Sequence, residues 1–170
     1  MTPFTLPTFC AAVQKYRATV SFLVPPIVLG LAKSPITDAY DLTSLRYVLC
    51  GAAPLGQATQ EALFDKLGLS VVIAYGMTET SAAALINVPG QNKPGTVGRL
   101  ISGTTAMLID ENGQDVPIGE PGQLWLKGRN IMKGYIGNPK ATAEDLTADG
   151  WLKTGEFIEF QMPLWIVLVC

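Results

Sequence analysis

Residues 45–75 read LRYVLCGAAPLGQATQEALFDKLGLSVVIAY and contain the clearest structural pattern of the chain. Residues 45–50 and 69–74 are short apolar runs rich in Leu, Val and Ile, which is typical of buried strands. Between them, residues 56–67 have the spacing of a helix, and Gly68 suits the left-handed position that ends one. A strand, a helix and a second strand in this order predict two parallel neighbours in a helix-covered sheet.

The same alternation extends towards the N-terminus. Residues 7–18 and 27–33 are predicted helices, and residues 19–24 are a predicted strand closed by two prolines. We therefore expect an α/β fold in which residues 1–94 form a partial parallel sheet with flanking helices.

After about residue 95 the pattern changes to short strands and turns. Residues 104–110 alternate and run into Asn112–Gly113, a pair that tolerates positive φ at both positions and predicts a hairpin. Residues 122–127 are the predicted neighbouring strand. We expect residues 95–157 to form a small antiparallel β subdomain of the same domain, and residues 158–170 to be an unmatched apolar tail.

The composition excludes several classes of function. Histidine is absent, which removes Ser-His-Asp and Cys-His catalysis and imidazole-bound zinc. With 12 Lys and Arg against 14 Asp and Glu, the chain has no basic excess for nucleic-acid binding. Three scattered cysteines without CxxC spacing fit a reducing compartment, and the final apolar run is too short to span a membrane. We expect a cytoplasmic protein, and no Ser-Lys-Leu ending supports a peroxisomal address.

Four glycine-containing turns follow predicted strands, at residues 50–54, 75–79, 127–130 and 154–156. Ligands of an open parallel sheet bind beyond the carboxyl ends of its strands, so the first two turns are placed to bind a nucleotide. Small residues at Gly51, Ala52 and Ala53 would let the backbone approach a flat base. Tyr75 could stack on that base, while Thr78 offers a hydroxyl and Glu79 an oxygen ligand for Mg²⁺.

Each of these residues also has a simpler interpretation when it is taken alone. Residues 51–54 could be only a tight turn, and Thr78 with Glu79 could be a helix cap. Tyr75 could be a core aromatic and Glu156 a solvated charge. The individual residues leave these alternatives open.

The order of the motifs is more specific than any one of them. YGMTET, preceded by LCGAAPLG and followed by KPGTVGRL, GQLWLKGRNIMKGYIGNP and DGWLKTGE, resembles the adenylate-forming ligase superfamily. Over residues 7–156 the chain is most similar to AMP-dependent synthetases of the 4-coumarate–CoA ligase type. The resemblance implies that a small carboxylic acid and ATP form an acyl-adenylate and pyrophosphate, and that a thiol, commonly coenzyme A, then accepts the acyl group.

The resemblance also implies roles for individual residues. The implied catalytic residues are Thr78, which would bond the α-phosphate, and Glu79, which would hold Mg²⁺. The implied contacts to ATP or AMP, from the adenine pocket to the ribose, are Gly51, Ala52, Ala53, Tyr75, Gly76, Thr78 and Glu156. The implied lining of the acyl pocket is Ala74, Ala82 and Ala83.

Three departures from the family pattern shape the functional expectation. The Ser/Thr/Gly-rich phosphate loop does not precede the matched region; residues 102–105 echo it only superficially and are predicted to begin a strand. Glu156 stands where the family has Asp, and the small C-terminal domain with its catalytic lysine does not follow. We expect a fragment of an ATP-dependent carboxylate–CoA ligase that is inactive alone. The alternative is a nucleotide- or acyl-binding or regulatory module that pairs with a full-length relative or with a partner chain supplying the missing half.

Overall fold

The structure is a computed structural model that describes residues 3–89, 96–161 and 165–168. The chain divides into two compact units. The first is drawn from Met1–Ile73 and Val88–Pro94, and the second from Ala74–Asn87 and Gly95–Cys170. Within the described residues, no helix is long and apolar enough to cross a membrane.

The first unit is a parallel sheet with helices, as the sequence predicts. Its elements in chain order are α1 Leu6–Tyr16, β1 Val20–Leu23, α2 Pro25–Lys33, β2 Tyr47–Cys50, α3 Gln57–Leu67 and β3 Ser70–Tyr75, of which the last two residues belong to the second unit. β2 lies between β1 and β3 and pairs with both in parallel, with Tyr47 opposite Val20 on one side and Ser70 on the other. The α/β class is confirmed.

Local chemistry explains where these helices begin and end. The Thr5 hydroxyl caps α1 by accepting a hydrogen bond from the Thr8 amide at 3.3 Å. α2 begins with two prolines, whose fixed φ suits a first helical turn. α3 ends at Gly68, which has a φ of +66° as predicted for a left-handed cap. The three helices and the strands share one apolar core: Cys10, Val13, Leu23, Val28, Leu31, Val48 and Leu63.

The second unit is antiparallel, and the predicted change of layer is therefore confirmed. Its strands are β4 Leu85–Ile86, β5 Thr96–Leu100, β6 Thr104–Ile109, β7 Pro121–Gly128, β8 Leu152–Gln161 and β9 Trp165–Leu168, with the helix α4 Pro139–Asp145. The end of β3 pairs with β4, and the order then continues through β5, β9, β8, β7 and β6. The Ser102–Gly103 segment is a turn and β6 begins at Thr104, as predicted.

The predicted Asn112–Gly113 hairpin geometry is wrong in detail. Gly113 has a φ of +77°, but Asn112 is not in the left-handed region. The Asp110 carboxylate accepts hydrogen bonds from the amides of Asn112 and Gln114, both at 2.8 Å. Because the Asp110 side chain satisfies two loop amides, it stabilises a loop that is wider than the predicted two-residue turn.

The predicted turn at residues 154–156 is also wrong, because these residues lie inside β8. Gln123 of β7 faces Phe157 and Trp125 faces Lys153, so Leu124 alone faces three residues of β8. The two extra residues of β8 form a bulge at Gly155, whose φ is +75°. A glycine after a predicted strand is typical of a strand end, whereas Gly155 marks a bulge within β8.

Candidate functional site

The connection from β3 to β4 begins with a turn that only glycine can make. Gly76 follows Tyr75, and a Cβ added to Gly76 would lie 1.6 Å from the carbonyl oxygen of Ala82. The chain therefore folds back onto itself at van der Waals distance. Two further residues, Ser81 and Ala82, have left-handed φ values of 53° and 88°. Such conformations are unfavourable for residues with a Cβ and persist where the surroundings hold them.

A buried threonine stabilises this turn from within. Thr80 ends the short 3₁₀ turn Thr78–Thr80 and is fully buried. Its hydroxyl accepts a hydrogen bond from the Met77 amide at 3.0 Å, and it lies 3.0 Å from the Met77 carbonyl and 3.2 Å from that of Ala82. Met77, rather than Thr78, occupies the cap position of the turn. The interpretation of Thr78 as a helix cap is therefore wrong, and its side chain is exposed.

Residues 130–135, which we call the strap, hold the same turn from outside. The Met132 amide donates to the Glu79 carbonyl at 2.8 Å. The Asn130 side-chain amide donates to the Thr80 carbonyl at 3.2 Å, and the Ser81 hydroxyl donates to the Asn130 carbonyl at 2.8 Å. Three consecutive residues of the turn are thus bound to one segment.

The strap also contacts the Glu79 carboxylate. The Tyr135 hydroxyl lies 2.8 Å from Glu79 Oε1 and 3.0 Å from Asp145 Oδ2. Both carboxylates favour the protonated phenol, so the hydrogen bond to Glu79, then burial and the Asp145 hydrogen bond, raise the pKa of Tyr135. The three side chains are all half-buried and form an oxygen-rich cluster with two negative charges.

Tyr75, at the end of β3, is half-buried. Its hydroxyl is shielded from solvent and has no hydrogen-bond partner of good geometry among the described residues. Burial raises the pKa of Tyr75 to about 12, with a smaller contribution from the charge of Glu156 and an opposing one from the nearby Thr154 hydroxyl. That hydroxyl donates to the Leu124 carbonyl at 2.8 Å and accepts from the Glu156 amide at 3.1 Å. Tyr75, Thr154 and Glu156 are therefore neighbours.

The second unit places most of the predicted residues on one connection. Ala74 and Tyr75 end β3, and Gly76, Thr78, Glu79, Ala82 and Ala83 follow before β4. Thr78 and Ala82 are exposed, whereas Ala74 and Ala83 are half-buried. Glu156 is exposed on the bulge of β8.

The other three predicted residues lie in the first unit, directly after β2. Gly51 is half-buried, and Ala52 and Ala53 are exposed. Ala52 has a left-handed φ of 72°, and the Gly51 amide donates to the Leu23 carbonyl at 3.4 Å. The segment is the bend that its small residues predict.

The comparison with protein families decides the relationship of this chain. The model described as AMP-binding enzyme matches residues 1–136. The chain belongs to the AMP-binding enzyme family.

Individual relatives of this AMP-binding chain agree with that assignment. It is 41% identical over 170 residues to 4-coumarate–CoA ligase-like 9 of Arabidopsis thaliana, covering 98% of this chain and 30% of that protein. It is 37% identical over 176 residues to the 4-coumarate–CoA ligase of Pinus taeda, covering 98% and 33%. The chain therefore spans about a third of the length of these curated relatives.

Solved structures agree in fold. The amide bond synthetase McbA of Marinactinospora thermotolerans matches with a TM-score of 0.89 and 29% identity, covering 99% of this chain and 34% of that one. The anthranilate CoA ligase AuaEII, solved in complex with anthranoyl-AMP, matches with a TM-score of 0.89 at 22% identity and 99% and 33% coverage, which supports the fold alone.

Sequence reasoning missed Asn130 and Tyr135 of this AMP-binding chain, which contact the turn or its carboxylate, and Asp145, which contacts the Tyr135 hydroxyl. Asn130 and Tyr135 lie in GRNIMKGY, a block that carries the family resemblance but offers no recognisable ligand pattern of its own. Asp145 is separated from Glu79 by 66 residues, and only the fold brings the two carboxylates to one hydroxyl. Within the part of the chain that the structure describes, no three Asp, Glu, Cys or His side chains group closely enough to hold a metal ion.

Proposed function

We propose that the connection from β3 to β4 binds the phosphates of ATP and a magnesium ion in an ATP-dependent carboxylate–CoA ligase. The single observation that carries the proposal is the Glu79 carboxylate, which a rigid, hydrogen-bonded turn presents directly after the carboxyl end of a parallel strand. The reaction proposed for the whole protein is the attack of a carboxylate on the α-phosphorus of ATP. Pyrophosphate leaves, and the acyl group passes from AMP to the thiol of coenzyme A.

The chemistry of Glu79 fits a magnesium ligand. Mg²⁺ is held in proteins by one or two carboxylates together with substrate phosphates and water, so three protein ligands are not required. Glu79 is half-buried and its backbone is fixed by the Met132 amide. When bound, the ion would neutralise charge on the phosphates during adenylation. Glu79 then orients the ion, and the exposed Thr78 hydroxyl donates to an α-phosphate oxygen.

The remaining predicted residues take positions around the adenylate in this proposal. Tyr75 stacks on the adenine, and the small residues Gly51, Ala52 and Ala53 line its pocket. Glu156 binds the ribose hydroxyls with a side chain one methylene longer than the family's Asp. The acyl group lies beside three small side chains: Ala74, Ala82 and Ala83.

Binding of ATP to the 170-residue chain tests the proposal. We expect calorimetry to show ATP binding that is strengthened by millimolar MgCl₂, and AMP binding that does not depend on it. Glu79→Gln keeps the side-chain shape and removes the charge, so it should abolish the magnesium effect and leave AMP binding unchanged. Glu120→Gln is the matched control, because Glu120 is exposed in the loop before β7. A magnesium effect that survives Glu79→Gln would contradict the role of Glu79.

A second candidate is a binding or regulatory module that pairs with another chain. Phe22 supports it, because this side chain is 77% exposed on β1, the edge strand of the sheet in the described residues, where another chain could pair. Sedimentation of the chain alone and with a full-length relative tests this candidate. A stoichiometric complex that Phe22→Ser abolishes would support pairing, and monomeric behaviour in both mixtures would refute it.

A further inference from the structure

Tyr135 places one proton between two carboxylates. Its hydroxyl is within hydrogen-bond distance of Glu79 Oε1 at 2.8 Å and of Asp145 Oδ2 at 3.0 Å. A phenol donates one hydrogen bond, so it can satisfy one of these anions at a time. The other oxygen then faces the phenol without a proton. The contact therefore has two hydrogen-bonded states that differ only by rotation of the hydroxyl.

The backbone at Tyr135 is fixed independently of Glu79. The Tyr135 amide donates to the Thr142 hydroxyl of α4 at 2.9 Å, and that hydroxyl donates to the Asn138 carbonyl at 2.9 Å. Gly134 precedes it with a φ of +144°, and a Cβ there would lie 2.8 Å from the Thr142 methyl group. The backbone of Tyr135 is thus held by α4, independently of the Glu79 carboxylate that its hydroxyl touches.

The backbone of Glu79 is fixed by the same strap. Its carbonyl accepts from the Met132 amide at 2.8 Å, three residues before Tyr135. With both backbones tied to one segment, the rotamer of the Glu79 side chain is the main remaining freedom of its carboxylate. Among the described residues, the Tyr135 hydroxyl hydrogen-bonds the Glu79 carboxylate and so restricts this rotamer.

We propose that Tyr135 is a positioning residue that aims the Glu79 carboxylate, and that Asp145 is the alternative acceptor for its hydroxyl. The inference rests on the proposed function of Glu79 as a magnesium ligand. Donation to Glu79 holds Oε1 and leaves the second oxygen directed away from the phenol. Donation to Asp145 frees both Glu79 oxygens for a cation, and the phenol proton stays hydrogen-bonded throughout. Such hydrogen bonds behind a ligand fix its orientation and its affinity for the metal.

The test is Tyr135→Phe, which removes one oxygen and keeps the ring. In calorimetric titrations of the 170-residue chain with ATP over a range of MgCl₂ concentrations, the apparent affinity for magnesium should fall about 10-fold. The affinity for AMP without magnesium should stay the same, which a general loss of structure would not allow. Tyr16→Phe is the matched control, because Tyr16 is 72% exposed at the end of α1 in the other unit. An unchanged magnesium dependence in Tyr135→Phe would overturn the inference.

Asp145→Asn provides a second variant that leaves Tyr135 intact. The neutral amide oxygen is a weaker acceptor than a carboxylate, so the hydroxyl would be committed to Glu79. We expect a smaller loss of magnesium affinity than in Tyr135→Phe, again with AMP binding unchanged. A gain of magnesium affinity, or no change, would contradict the role of Asp145 as the alternative acceptor. Asp145→Asn also tests the inference if the circular dichroism spectrum shows that Tyr135→Phe does not fold like the parent chain.

Crystal structures separate this inference from the proposed function. If the parent chain binds neither ATP nor AMP, the proposed function fails for this chain, and the position of the Glu79 carboxylate still decides the inference. Tyr135→Phe should move or disorder that carboxylate while the Met132–Glu79 backbone hydrogen bond remains. A carboxylate in the same place without the hydroxyl would refute a positioning role.

Discussion

The bend after β2 and the turn after β3 follow two parallel strands but are held very differently. At the first, the Gly51 amide makes a 3.4 Å hydrogen bond to Leu23, and Ala52 and Ala53 are exposed. At the second, the strap and the buried Thr80 bind nearly every residue from Met77 to Ser81. A flat base needs only room to approach, whereas a carboxylate that orients charge needs a fixed position. The two regions differ in the way that the proposed function requires.

The largest expected difference is in the tolerance of the two regions to a methyl group. Gly76→Ala would place Cβ 1.6 Å from the Ala82 carbonyl oxygen, so the turn after β3 must open. We expect a loss of about 3 kcal/mol in the free energy of unfolding, measured by urea denaturation.

The control for this change lies beside the bend after β2. A Cβ added to Gly56, the residue before α3, meets nothing within 4 Å. Gly56→Ala should therefore cost less than about 1 kcal/mol, which reflects only the poorer helix cap. Equal losses for the two variants would remove the contrast between the regions.

Relief of backbone strain gives a smaller effect of the opposite sign. Ala82 and Ala52 have left-handed φ values of 88° and 72°, which glycine adopts without a Cβ penalty. Ala82→Gly should raise the free energy of unfolding by about 1 kcal/mol, because the surrounding hydrogen bonds hold this conformation. Ala52→Gly should gain less, since the exposed bend relaxes more easily. Urea denaturation of both variants measures the difference, and a larger gain at Ala52 would show that the bend is the more rigidly held region.

Alkaline pH distinguishes the two strand ends, with no effect expected near neutral pH. Burial raises the pKa of Cys50, the last residue of β2, to about 11, and that of Tyr75, the last residue of β3, to about 12. Both native pKa values exceed the unfolded ones, so the associated stability is present below the unfolded pKa and is lost as pH rises. The loss should run from about pH 9 to 11 for Cys50 and from about pH 10 to 12 for Tyr75.

Single substitutions assign the two windows. Tyr75→Phe should flatten the upper part of the stability profile measured by thermal unfolding between pH 8 and 12, and Cys50→Ala should flatten the lower part. Some slope should remain in both variants, because the pKa values of Tyr135 and Cys10 are also raised. The Tyr75→Phe variant keeps the ring, so its stability at pH 8 is the internal reference. If stability fell with pH in Tyr75→Phe in the same way as in the parent chain, the buried phenol would not contribute to the loss of stability at alkaline pH.

The strands and helices that carry a local signal were predictable from the sequence. Helix α3 and its left-handed Gly68 follow from periodicity and a terminal glycine, which act over a few residues. β8 was missed because Gly155 resembles a strand end when the opposite strand is not visible. Helix α4 has only seven residues, which is too short for a clear helical period.

The residues of the candidate site also differ in whether the sequence carries a local signal for them. Tyr75, Thr78 and Glu79 lie within five consecutive residues and form a recognisable motif, so they could be identified from the sequence. The Tyr135 hydroxyl meets the carboxylates of Glu79 and Asp145 only after folding. Likewise, no sequence motif indicates that Gly76 lies against the backbone carbonyl of Ala82. Contacts of this kind need the structure.

The bulge in β8 constrains how the length of this strand can change. Leu152, Thr154 and Ile158 are buried on one face of the strand. In a regular strand Glu156 would lie on that same face, but the bulge turns it outward and it is exposed. Removing two residues would restore a flat ladder with the core side chains still inside, but it would take the outward carboxylate with them. Removing one would leave a single extra residue opposite Leu124, which a two-against-one bulge accommodates. The outward position of the Glu156 carboxylate is therefore more sensitive to the length of this strand than the buried face of the strand is.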